Sequence, residues 1–123
     1  MTVILLALAG GIGAVARFVV DGAIRQRFKT ALPWGTILIN ITGSFALGVL
    51  AGAVMRGRAS ESVFLILGTG FLGGYTTFST ASLETIRLIQ SGRTGLALIN
   101  GLGSMAASVL SATAGVGVGL LLP

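Results

Sequence analysis

Four apolar runs, each long enough to cross a lipid bilayer, decide most of what this chain can become. A spanning helix needs ~20 consecutive, mostly apolar residues. Runs over residues 2–20, 33–55, 62–89 and 94–122 meet that length. The segments between them are short and polar: Asp21, Arg25, Arg27 and Lys29; then Arg56, Arg58 and Glu61; then Ser91, Gly92 and Arg93. The pattern predicts an all-α membrane protein, with residues 1–123 forming one four-helix transmembrane domain. Pro33 suits the first turn of the second span, where its missing N–H leaves no partner unsatisfied. The first run begins without basic residues and so reads as a retained span rather than a cleaved signal. An even number of spans puts both termini on one side. Arg25, Arg27, Lys29, Arg87 and Arg93 in and around loops one and three outnumber Arg56 and Arg58 in loop two, which places both termini outside by the positive-inside rule.

Composition closes off other classes. Only 9% of residues are charged, against about 25% in a soluble domain, too few to cover a water-facing surface. Without cysteine or histidine, the chain lacks a disulfide, a thiolate metal site and the commonest general base. Asp21, Glu61 and Glu84 are its only acids, and they are scattered. Paired-carboxylate chemistry is therefore unsupported, and the chain does not read as an enzyme. Its net charge of +5 does not argue for nucleic acid, because the basic residues flank apolar runs, where juxtamembrane charges belong.

Small and polar residues carry the rest of the signal. The 20 glycines include two G-x-x-x-G pairs, Gly48 with Gly52 and Gly115 with Gly119. Such pairs bring helices close, either within one chain or between two. In the second span Thr36, Asn40, Ser44 and Gly48 recur every four residues and share a helix face; Asn100, Ser104 and Ser108 do so in the fourth, with Ser111 close by. A mid-membrane amide must find a partner or face a cavity.

The third span is the least regular. Residues 68–80 hold glycines and hydroxyl side chains at bilayer depth, which predicts a helix break near Gly73–Thr76. Opened backbone survives in a membrane only against protein or an aqueous cavity. Freed carbonyls at such a break suit a cation, and a half-helix N-terminus suits an anion. Thr76 or Thr77 is placed to cap the second half-helix, and Phe78 follows with a ring edge that can face an anion. The Gly68-x-Gly-x-x-Gly73 match to a dinucleotide fingerprint lacks its strand. The Asn40-Ile-Thr42 sequon lies inside a span. Neither carries weight.

Taken together, these segments resemble the CrcB, or Fluc, family of bacterial and archaeal fluoride channels. The resemblance rests on Gly10-Gly-Ile-Gly-Ala-Val-Ala-Arg17, on the second-span stretch Pro33 to Gly48, and on Gly70-Phe-Leu-Gly-Gly-Tyr-Thr-Thr-Phe-Ser-Thr80. The first has one residue fewer than the family pattern between its glycine pair and Gly13, and the fourth span is similar only in character. The resemblance implies a multi-pass protein of the prokaryotic cell (inner) membrane that exports fluoride passively and lowers its cytoplasmic concentration, conferring fluoride resistance. It also implies an antiparallel, dual-topology dimer with fluoride pathways along its interface. Asn40, Thr77, Phe78, Ser79, Ser104 and Ser108 would line the pathway. The backbone carbonyls of Gly73 and Thr76 would hold a structural Na+ at the dimer centre, and Arg17 belongs to the shared early motif.

Two departures qualify the likeness. Ala81 stands where the family often carries a second phenylalanine, so one side of the aromatic box is missing. The loop charges are biased, whereas a dual-topology homodimer calls for near balance. Both fit one member of an oppositely oriented, paralogous pair, although the resemblance itself keeps a second copy of the chain as the first expectation. The rival reading is a small multidrug-type proton-coupled cation antiporter. That class needs an intramembrane carboxylate, and Asp21 lies only at the edge of the first run.

Overall fold

The apolar runs become helices in a computed structural model that describes all 123 residues. Helix α1 covers Thr2–Arg27 and α2 covers Trp34–Met55. The third span is split into α3, residues 61–75, and α4, Ser79–Gln90; α5 covers Thr94–Leu120. Four spans are thus long and apolar enough to cross a membrane.

Helix α1 runs seven residues beyond the apolar stretch that ended at Val20. An i,i+4 ion pair between Asp21 and Arg25 at 2.8 Å and basic residues in the last turn, Arg25 and Arg27, hold that extension. Ser60 starts α3 by accepting the Val63 N–H at 3.2 Å. Gly57 and Gly92 turn the next two connections at φ of 71° and 80°, a left-handed geometry that glycine adopts without strain.

Helix α2 is the organising element, with α5 packed along one side. A Cβ on Gly48 would strike the Ala112 carbonyl, and one on Gly115 would strike the Phe45 carbonyl. Gly52 and Gly119 meet in the same way one turn on. Both G-x-x-x-G pairs are therefore spent on packing within the chain, which decides between the two uses that the sequence left open. On the other side α1 packs against α3, where Gly74 lies against the Gly10 carbonyl.

The break in the third span falls at Thr76–Phe78, a few residues later than expected. Gly73–Tyr75 remains helical, because the glycines of α3 serve close contact with α1 rather than disorder in the helix. Thr76 turns the chain with ψ of 159°. Its hydroxyl donates back to the Leu72 carbonyl at 2.9 Å, closing the first half. Thr77 opens the second half instead, since its Oγ1 accepts the Thr80 N–H at 3.2 Å. The break lets one span serve two partners: α3 lies on α1, and α4 pairs with the start of α5. Wide π-type turns at Phe64–Leu72 and Ile99–Gly103 were not foreseen; apart from a high glycine content, the sequence carries no signature for them.

Candidate functional site

The break is held open by a side chain from the neighbouring helix. Asn40 on α2 donates through Nδ2 to the Thr77 carbonyl at 2.8 Å and accepts the Thr77 N–H on Oδ1 at 2.8 Å. In a continuous helix that N–H would bond the Gly73 carbonyl. The Thr80 N–H, which would bond the Thr76 carbonyl, goes to Thr77 Oγ1. The Gly73 and Thr76 carbonyls are left without those donors. Both are hard oxygen ligands of the kind that suits a small alkali or alkaline-earth cation, so the chemistry of this pair fits the sodium ion that the resemblance implies.

Beside the break lies an open groove of about 590 Å³ between α2, α4 and α5. It gathers Asn40, Thr77, Phe78, Ser104 and Ser108 of the expected pathway residues. Ser79 falls outside that lining and is exposed, 3.4 Å from the Thr77 hydroxyl. Arg17 is also remote from the groove; it is half-buried on α1, and its Nε has no hydrogen-bond partner. Phe78 stands at the rim with 82% of its surface exposed. Ala81 lines the same groove, so the space that a second phenylalanine would fill is open.

Three further residues join the site. Ser44 and Ser82 line the groove with no hydrogen-bond partner, as does Ser108, so all three hydroxyls are free to donate. Asn100, only 1% exposed, donates to Thr85 Oγ1 at 2.8 Å and ties α5 to α4. Its carbonyl accepts the Ser104 hydroxyl. Ser44 and Asn100 belonged to the stripes read from the sequence. Ser82 sits one helical turn past Phe78, a spacing that could have revealed it. Ser111, by contrast, is an ordinary interhelical tie, donating to the Ile41 carbonyl at 2.7 Å.

The electrostatics of the groove are one-sided. A mainly apolar wall that includes Ile86, Leu102, Met105 and Val109 carries amides and hydroxyls, and no carboxylate. The acids lie elsewhere: Asp21 pairs with Arg25, and Glu84 accepts from Arg25 at 2.8 Å and from Thr36 at 2.6 Å. An apolar groove with a few neutral donors and no fixed negative charge suits an anion.

Fold and site together define a small multi-pass membrane protein with a split helix and a donor-lined groove at the split. The family model described as CrcB-like protein, Camphor Resistance (CrcB), matches residues 4–116. The chain belongs to this family. It is 45% identical over 119 residues to Fluoride-specific ion channel FluC 1 of Leifsonia xyli, covering 97% of this chain and 87% of the relative. It is 48% identical over 111 residues to Fluoride-specific ion channel FluC of Novosphingobium aromaticivorans, covering 85% and 84%. The FluC protein of Magnetococcus marinus is 44% identical over 123 residues, covering 99% of this chain and the whole of the relative.

Proposed function

We propose that this chain is a subunit of a fluoride channel that lets the anion leave the cell passively. The observation that carries this reading is the double hydrogen bond from Asn40 to Thr77, because it keeps a helix split open beside a groove of donors. Asn40 Nδ2 has a second N–H that is not spent on Thr77, and Ser44, Ser82 and Ser108 offer free hydroxyls. A fluoride ion entering the groove exchanges water for these donors and for the positive edge of the Phe78 ring. Ser104 contributes its proton only by releasing the Asn100 carbonyl.

The groove cannot face lipid. Amide and hydroxyl groups exposed to hydrocarbon are costly, so a second subunit must cover them. The exposed ring of Phe78 and the exposed backbone at Gly73 support an interface at this face. By the family resemblance, the cover is an inverted second copy or an inverted paralogue. The Gly73 and Thr76 carbonyls of each subunit would hold a structural sodium ion, whose charge would offset the carbonyl dipoles where the two split helices meet.

Fluoride efflux from liposomes, read with a fluoride electrode, tests the reading. Fast efflux that disappears in Asn40→Asp supports it; a protein that reconstitutes as a folded assembly and passes no fluoride ends it. The antiporter alternative lacks its key part, since the groove offers no carboxylate to exchange a proton.

A further inference from the structure

A second concavity, of about 400 Å³, lies away from the groove at the shared end of α1, α2, α4 and α5. Arg25, Arg87 and Arg93 line it, together with Glu84 and the loop ahead of Pro33. Arg25 is already neutralised by Asp21 and Glu84, and the remaining Glu84 oxygen is taken by Thr36. Arg87 and Arg93 have no ion pair and no hydrogen-bond acceptor. The chain has only three acidic side chains, and the third, Glu61, begins α3 beyond the other end of α2. Two exposed guanidinium groups thus line one cavity, and no acid is left free to pair with them.

The size and position of the cavity narrow the occupant. The cavity is far larger than a halide requires. It sits where the spans leave the bilayer, and on α4 Leu83, one turn before Arg87, and Ile89 each expose about half of their surface outside the groove. Guanidinium forks match phosphate oxygens in two-point contact, and basic pockets between spanning helices take anionic lipid headgroups. The geometry points to a binding site for the phosphate of an anionic phospholipid, with the headgroup between Arg87 and Arg93 and the acyl chains running down α4. This rests on the membrane fold and not on the nature of the transported ion.

Native mass spectrometry of the intact detergent-purified protein, titrated with phosphatidylglycerol or phosphatidylcholine of matched chains, is the test. The wild type is expected to retain phosphatidylglycerol in preference to phosphatidylcholine. Arg87→Gln with Arg93→Gln is expected to weaken that retention by about tenfold or more, while Arg56→Gln with Arg58→Gln at the opposite end leaves it unchanged. The single variant Arg93→Gln, in a loop, serves if the double variant does not fold, and a threefold or larger loss is expected. Equal retention in wild type and the Arg87 or Arg93 variants overturns the site. So does an equal loss from the Arg56 and Arg58 variants, which reduces the effect to bulk charge. Displacement of the lipid by millimolar inorganic phosphate overturns the lipid assignment in favour of a soluble phosphate.

Discussion

Asn40 and Thr77 lie 37 residues apart in sequence and exchange two hydrogen bonds of 2.8 Å, one in each direction. An amide is the side-chain group that can do both at once, accepting from a backbone N–H and donating to the same residue's carbonyl. Asn40→Asp keeps the acceptor, turns the donor into a second acceptor facing the Thr77 carbonyl, and puts negative charge into the groove. Asn40→Ala leaves both backbone groups unmet, at a cost of about 1–3 kcal/mol for each buried orphan. Efflux is expected to fall at least about tenfold in the alanine variant, by that same energy, and further in the aspartate variant. Liposome efflux alongside size-exclusion profiles checks both.

Phe78 is exposed to 82%, an odd place for a ring whose purpose is packing within the chain. Phe78→Leu keeps an apolar side chain of similar reach and removes the ring quadrupole. If the ring edge meets the anion, efflux falls by about two- to tenfold, in line with an aromatic interaction of ~0.5–1.5 kcal/mol. Thermal stability should stay within error of the wild type. An efflux rate unchanged by this substitution would remove Phe78 from the pathway.

The glycine seam between α2 and α5 makes a prediction about stability alone. A side chain at Gly48 would meet the Ala112 carbonyl, whereas Gly117 on the same α5 has open space around it. Gly48→Leu should cost about 1–3 kcal/mol through overpacking, and more where the backbone cannot yield. Gly117→Leu should be tolerated. Thermal unfolding in a single detergent compares the two directly, and equal midpoints would contradict the seam.

How much of this was legible beforehand follows from the physics of each signal. The spans were readable because a bilayer imposes length and hydropathy on sequence directly; α1 outran its apolar stretch because the Asp21–Arg25 pair is as helical as it is polar. The break was readable in kind and misplaced by a few residues. Glycine marks both weak helix and close packing, and at Gly70 and Gly74 it was contact with α1 that mattered. Asn40 was visible as a mid-membrane amide, yet its bond to Thr77 was not, since no local pattern reports a contact across 37 residues. Ser82 was missed although it lies one turn past Phe78, because that spacing marks a shared face and does not say what the face borders.

Thr36 and Glu84 define a further stability test. Their hydrogen bond of 2.6 Å joins α2 to α4, and Arg25 brings α1 to the same carboxylate at 2.8 Å. The Glu84 side chain is only 11% exposed. Glu84→Ala strands the buried Thr36 hydroxyl and one guanidinium contact, an expected loss of about 1–3 kcal/mol. Glu84→Gln retains an acceptor for Thr36 and should lose less. The order wild type, glutamine, alanine in unfolding midpoint is the check, and an alanine variant as stable as wild type would remove this three-helix tie.

The last prediction concerns what moves with the fluoride. An exchanger that trades a proton for its substrate needs a carboxylate or histidine in the pathway to carry the charge. Here the groove has neither, the chain has no histidine at all, Asp21 and Glu84 are already engaged by Arg25, and Glu61 lies outside the groove at the start of α3. Fluoride crossing such a groove therefore moves as a bare charge and leaves a potential behind it. Potassium-loaded liposomes should release fluoride slowly by themselves and rapidly once valinomycin lets potassium follow. A protonophore in place of valinomycin should also release it by carrying protons separately, and an imposed pH gradient with no ionophore should not. Efflux that runs at full speed without valinomycin, driven by a proton gradient alone, would mean that charge is being compensated inside the protein, and would transfer the chain from the channels to the coupled transporters.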